Sequence, residues 1–204
     1  MRMKAAVLIV FVALAVACTP AIAQGNRSEF SGDFTGNYQS GVSGQNVTDS
    51  PTYSGGFLVN YRFHFNNWGA LELNYSRTRY TQFYSGGTGT ITSWSQASAQ
   101  EATMAFVYSF GSQLNGRLTP FAEVGTGGVF WTPIAAGSVG GPFSQSRPAL
   151  LYGGGFNWKA FGHFSLRVGY RGLLFTAPDF NVNGQFTNAR TQLKQPYAGI
   201  TYRF

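Results

Sequence analysis

Charged side chains are scarce in this chain. Asp, Glu, Lys and Arg make up 10% of its 204 residues, where about a quarter is usual for a soluble globular domain. An ordinary water-facing surface is hard to build from such a composition. Cysteine is nearly absent as well: Cys18 is the one example, which excludes a disulfide framework. Two histidines, His64 and His163, stand far apart in sequence and offer no metal-ligand cluster. Beyond residue 23 no apolar run approaches the roughly 20 residues that a membrane-spanning helix needs. The formal charge is +7, but the basic residues are scattered rather than clustered, which argues against a nucleic-acid partner. No cofactor-binding loop is evident. Gly153-Gly154-Gly155 precedes no predicted helix and reads as a strand feature that allows close packing or curvature.

Glycine and aromatic residues are plentiful, with 27 glycines and 17% Phe, Trp and Tyr. Residues 1–23 read as a secretory signal: Arg2 and Lys4 lead an apolar stretch from Ala5 to Ala17, and Ala21-Ile22-Ala23 is a small-x-small cleavage site. The mature chain then begins at Gln24 and forms one domain, 24–204. Cys18 follows Ala15-Val16-Ala17 without the Leu usual three positions before a lipidated Cys, so lipidation and cleavage after Ala23 both stay open. Few charges, many aromatics and no helical span are the composition of a transmembrane β-barrel.

Hydrophobicity alternates with period two in successive segments. Strands are expected over 30–40, 52–63, 69–84, 93–110, 118–131 and 148–158, from Phe164 onward, and in a last stretch ending at Phe204. The seventh is the clearest, with Phe164, Leu166, Val168 and Tyr170 against Ser165, Arg167, Gly169 and Arg171. Long gaps (41–51, 85–92, 132–147, 176–188) alternate with short turns (64–68, 111–117, 159–163). These features predict an all-β fold, an eight-stranded antiparallel up-and-down transmembrane β-barrel. An even strand count puts both termini and the short turns on the periplasmic side.

Charge placement fixes which face looks inward. The polar parities hold Asp33, Arg62, Glu72, Glu101, Glu123, Arg167, Arg171 and Arg203, four acids and four bases. Inside a narrow barrel these can neutralise one another and plug the lumen. Inward Gly125, Gly127, Gly153, Gly155, Gly169 and Gly199 would leave space there. Aromatic girdles are expected near the short turns (Phe63, Trp68, Phe110, Trp158, Phe161, Phe164, Phe204) and near the long loops (Tyr53, Tyr80, Tyr84, Trp94, Phe130, Phe175). Arg77 and Arg79 fall on the apolar parity of the third strand. A charge at mid-bilayer on that face costs roughly 2–4 kcal/mol and little at the interface. Both therefore belong near the outer rim, as possible contacts for lipopolysaccharide phosphates.

The final segment carries Ala198, Ile200, Tyr202 and Phe204 on one face. Ile200, Tyr202 and Phe204 resemble the C-terminal insertion signal of bacterial outer-membrane barrels. The whole mature chain resembles the small eight-stranded family that includes the transmembrane domain of outer membrane protein A, outer membrane protein X and the opacity-type surface proteins. That resemblance implies an outer-membrane, monomeric barrel whose partners are membrane lipid and lipopolysaccharide, with periplasmic chaperones and the barrel-assembly machinery during biogenesis. It implies a structural or surface-interaction role with four extracellular loops; a small-solute channel is the alternative. The loops are moderate in length, unlike those of dedicated adhesins, and no peptidoglycan-binding domain follows Phe204. Some barrels of this size modify lipid A. His163 and Ser165 resemble the His-x-Ser pair of the lipid A deacylase, but the next acid downstream is Asp179, in a loop. No enzymatic activity is expected.

Overall fold

A strand with one apolar face needs a partner for its backbone on both sides, and a closed barrel supplies one for every strand. The computed structural model describes residues 27–86, 91–111, 116–137, 143–182 and 187–204. The segment 1–23 read above as a secretory signal, with Cys18 and the expected cleavage site after Ala23, lies outside the described residues. Eight long strands make the wall: β1 (Ser28–Gln39), β4 (Ser54–His64), β5 (Gly69–Gly86), β6 (Ile91–Ser109), β7 (Leu118–Ala136), β8 (Gln145–Phe161), β9 (Phe164–Thr176) and β10 (Arg190–Arg203). Each pairs antiparallel with its neighbours in sequence, and β1 pairs with β10 to close the ring. The eight-stranded antiparallel barrel expected from the sequence is therefore present.

The register sets the pitch. A row of paired residues leaves Ser109 on β6 and passes through Phe121, Gly155, Gly169, Tyr197, Thr35, Gly56 and Thr78. It returns to β6 at Ala99, ten residues from its start. Such a stagger over eight strands tilts them by about 40° from the barrel axis. Rows thus climb toward the long-loop end in the order β1, β4, β5.

Three of the four expected loops are replaced by strand, in whole or in part. The segment 41–51 folds as a hairpin, β2 (Val42–Gly44) and β3 (Val47–Pro51), and β3 adds to β5 past the end of β4. Its two-residue turn, Gln45-Asn46, has φ of 51° and 60°, the left-handed pair that a tight hairpin requires. Beside the hairpin β5 and β6 run on until only residues 87–90 separate them, and farther round the wall β7 and β8 extend to Ala136 and back from Gln145. Continued pairing satisfies backbone groups that a loop would leave to water.

The barrel is apolar outside and polar inside at its terminal end. Phe34, Phe57, Val124, Leu150, Val168 and Ile200 stand exposed on the outer face, whereas Arg62, Glu72, Glu101, Arg167 and Arg171 are almost completely buried. Trp68, Phe110, Trp158, Phe161 and Phe164 ring the short-turn end as exposed aromatics. The other expected girdle needs correction. Tyr53 and Phe130 face out, but Tyr80, Tyr84 and Phe175 are buried in the interior. Their parity explains this: Tyr80 and Tyr84 share the face of Glu72, and Phe175 that of Arg167 and Arg171.

Candidate functional site: the barrel interior

Strand alternation aims every second side chain at the axis, and in this barrel the interior falls into two layers of different chemistry. Nearest the termini, four strands contribute one ionic cluster. Arg62 on β4 donates through Nε to Glu72 Oε2 on β5 at 2.6 Å. Arg167 on β9 reaches the same oxygen through Nη1 at 3.1 Å. Glu29 on β1 approaches both guanidinium groups, with Oε2 at 4.0 Å from Arg62 Nη1 and 3.6 Å from Arg167 Nη2. The Phe121 ring from β7 lies beneath the pair, 4.5 Å from Arg62 Cζ and 5.5 Å from Arg167 Cζ. The ring face stabilises the two cations there without a third carboxylate. Arg167 also donates to Ser31 Oγ and Asn157 Oδ1.

One step toward the loops, Arg171 donates through Nη2 to Glu101 Oε2 at 2.6 Å and through Nε to Gln195 Oε1 at 2.7 Å. Gln195 Nε2 in turn reaches Glu101 Oε1 at 2.9 Å and Asn37 Oδ1 at 2.5 Å. A neutral amide thereby bridges the ion pair to the far wall. Desolvated pairs of this kind add little net stability, but removing one partner strands the other.

Above these charges the interior is largely apolar. Val129, Trp131, Leu151, Leu173, Phe175 and Leu193 pack with Tyr80, Tyr84 and several alanines in one buried cluster. The Trp131 indole N–H donates to the Tyr80 hydroxyl, and the Tyr84 hydroxyl lies within hydrogen-bonding distance of Gln82 Oε1 and the Pro178 carbonyl oxygen, so the polar atoms these rings carry into the layer are satisfied. Phe180 and Val182, from the connection between β9 and β10, fold in and join the cluster. Gln145 and Arg147 hold that connection: Gln145 Oε1 accepts from the backbone N–H of Asp179 and Phe180, and Arg147 Nη2 lies 3.0 Å from Asp179 Oδ2. At the same end Asp49 on β3 is fully buried, and among the described residues neither of its carboxylate oxygens has a hydrogen-bond partner. Burial pushes its carboxyl up to about 7.

The structure thus joins Arg62, Glu72 and Arg167 in one cluster and Glu101 with Arg171 in another. Asp33 takes hydrogen bonds from Asn60 and Ser31, and among the described residues it forms no salt bridge. Glu123 is buried beside them, also without a salt bridge among the described residues. Arg203 does not reach the axis. At the last position of β10 it stands at the mouth, half exposed, and pairs with Glu29. Glu29, which also lies 3.1 Å from His64 Nε2, is the residue that sequence reading missed. It shares the parity of Asp33 and sits one position before the expected start of the first strand.

The inward glycines do not leave empty space. A Cβ on Gly155 would stand 2.3 Å from the Val168 carbonyl oxygen and one on Gly125 2.1 Å from that of Met104. The volume opposite Gly169 is taken by the Tyr197 ring, and that opposite Gly153 by Glu123. Arg77 and Arg79 are exposed on the outer wall. Ile200, Tyr202 and Phe204 lie on the outer face, with the Tyr202 and Phe204 rings 5.9 Å apart. Asp179 is far from His163: the two sit at opposite ends of β8, about 50 Å of strand apart. Asp179 cannot orient that imidazole.

The sequence matches the family described as "Outer membrane protein beta-barrel domain" over residues 9–204. No curated protein sequence matches. Among solved structures, the outer membrane protein OprG from Pseudomonas aeruginosa superposes with a TM-score of 0.65 at 12% identity, covering 88% of this chain and 96% of that one. Neisserial surface protein A gives 0.60 at 13% identity, with coverages of 87% and 97%. The attachment invasion locus protein Ail of Yersinia pestis gives 0.54 at 16%, with coverages of 88% and 99%. At such identities the likeness is one of fold.

Proposed function

This chain belongs to the outer membrane protein β-barrel domain family, whose place is the outer membrane, and on that premise we propose that it is a closed structural barrel that presents its four longer connections at the cell surface. The observation that carries this reading is the double filling of the lumen. Ions cross-link the terminal half, and an apolar layer sealed by Phe180 and Val182 fills the other. An ion entering from the loop end must cross that apolar layer before it reaches the ionic clusters, and desolvating it there is costly. The termini and short turns face the periplasm. Ile200, Tyr202 and Phe204 present the edge that the assembly machinery engages, and periplasmic chaperones deliver the unfolded chain to it. The protein acts as a monomer and carries no enzymatic activity.

Planar-bilayer recording tests the reading. The full mature chain is expected to give no steady openings in molar salt. Sustained unitary conductance from the folded protein would refute closure and favour the channel alternative.

A further inference from the structure

The outer wall carries a depression that the closed interior does not explain. It is lined by Phe34, Gly36, Gly55, Phe57, Arg77 and Arg79, among others. On the β1–β4 ladder Phe34 opposes Phe57 and Gly36 opposes Gly55. The Phe34 and Phe57 rings lie 4.9 Å apart, and the next outward pair, Tyr38 and Tyr53, 5.2 Å apart. The two aromatic pairs flank the glycine row; the Tyr38 ring folds over Gly36, 2.9 Å from where a Cβ there would stand, and leaves Gly55 as the open floor of the furrow. A Cβ on Gly55 would meet nothing within 4 Å, so the furrow is open to the membrane at that point.

The furrow leads to the arginines. Arg77 pairs with Phe57, and Arg79 follows two positions on, in the row of Gly55. Both are exposed, and among the described residues neither forms a salt bridge with a carboxylate. Arg77 Nε donates to Ser98 Oγ at 3.3 Å, which steadies the guanidinium. Counting from Gly69 at the short-turn end, Arg77 and Arg79 stand about 20 and 25 Å up a tilted strand, at the upper edge of an apolar band about 25 Å tall. Because rows climb from β1 through β4 to β5, the furrow descends from Arg79 toward Gly36, by about 6 Å over two strand spacings. Two cations therefore sit at headgroup height, and an apolar slot slopes from them into the hydrocarbon.

We propose that this furrow is a binding site for one phosphorylated glycolipid of the lipid A class, with a phosphate held by Arg77 and Arg79 and an acyl chain laid over Gly55, between the Phe34–Phe57 pair and the Tyr38 ring. Arginine suits the phosphate through its planar fork of donors. The chemistry selects a lipid with phosphate and acyl chains in one molecule over a free anion. The assignment rests on the long connections facing outward, as proposed above, and is independent of whether the lumen conducts.

Native mass spectrometry of the full mature barrel, titrated with bisphosphorylated lipid A, tests the site. One lipid A retained per barrel is expected. Arg77→Glu with Arg79→Glu is expected to reduce retention at least tenfold. Gly55→Leu, which fills the slot where no atom stands in the way, is expected to reduce it several-fold. Each variant is first checked for the folded band in an unheated gel. With the wild-type protein, lipid A stripped of its phosphates, phosphatidylglycerol and inorganic phosphate serve as competitors, so the test stands even if a variant misfolds. Weak competition by all three supports the site. Retention unchanged in the double arginine variant, or displacement of lipid A by inorganic phosphate, overturns it. An unaffected Gly55→Leu protein overturns the acyl slot, and equal binding of phosphatidylglycerol overturns the glycolipid assignment.

Discussion

Docking of the β2–β3 hairpin should weaken as the pH rises, and Asp49 sets the size of the effect. Its carboxyl is buried where β3 lies on β5, without a hydrogen-bond partner among the described residues. It titrates near 7 in place against an ordinary value of 3.8. Below 3.8 the docked and undocked hairpins are both protonated, and burial carries no ionisation cost. Between 3.8 and 7 the undocked form loses its proton while the docked form keeps it, so docking loses free energy with each pH step. Above about 7 both are ionised, and the penalty levels off. From pH 5 to pH 8 the expected loss is about 2.5 kcal/mol, or roughly 70-fold in the opening equilibrium. Amide hydrogen exchange over 42–51, corrected for intrinsic rates, reads that opening directly. Asp49→Asn should flatten the pH profile and leave the hairpin better protected at pH 8. An Asp49→Asn protein with the wild-type slope would refute the reasoning, since the proton would then be binding elsewhere.

Glu72→Ala removes the carboxylate shared by Arg62 and Arg167 and should destabilise the barrel by about 3–5 kcal/mol, read as a lower temperature for loss of the folded gel band. Glu72→Gln should cost less, because it keeps an acceptor for Arg62 Nε. Trp131→Ala opens a cavity in the apolar layer at a cost of about 3–5 kcal/mol but should leave the barrel non-conducting, since the ionic cluster still blocks the terminal half. Gly155→Val should abolish the folded band, because its Cβ would stand 2.3 Å from a backbone oxygen, whereas Gly55→Ala should fold normally.

Parity was the most readable information in the chain. Phe164, Leu166, Val168 and Tyr170 state which way β9 faces, and one such strand orients its neighbours through the sheet. Height along the axis is not carried by parity. Leu151, Leu173 and Leu193 occupy inward positions as much as Arg167 and Arg171 do, and only the register shows that they form a separate layer. The mixed parities over 118–131 were the visible trace of it, since Val129 and Trp131 are inward and apolar. Glu29 escaped notice because strand ends are blurred: the alternation continues one residue past where its apolar partner, Phe30, begins. The 41–51 hairpin was hidden by composition, because Gly, Ser, Asn and Asp mark a tight turn and an open loop alike.

The Glu29–Arg203 pair bears on how the ring finds its correct closure. Strands β1 and β10, the first and last of the chain's strands, close the ring, and Glu29 is the partner of Arg203 in their ladder. A seam misaligned by one residue turns a whole strand inside out and is rejected by the lipid. A seam misaligned by two keeps every greasy side chain outside, so the membrane cannot detect it. It would, however, set Arg203 against Ser31 or beyond the end of β1, and leave Glu29 buried with less positive charge beside it. The rim charge thus proofreads the one assembly error to which hydrophobicity is blind.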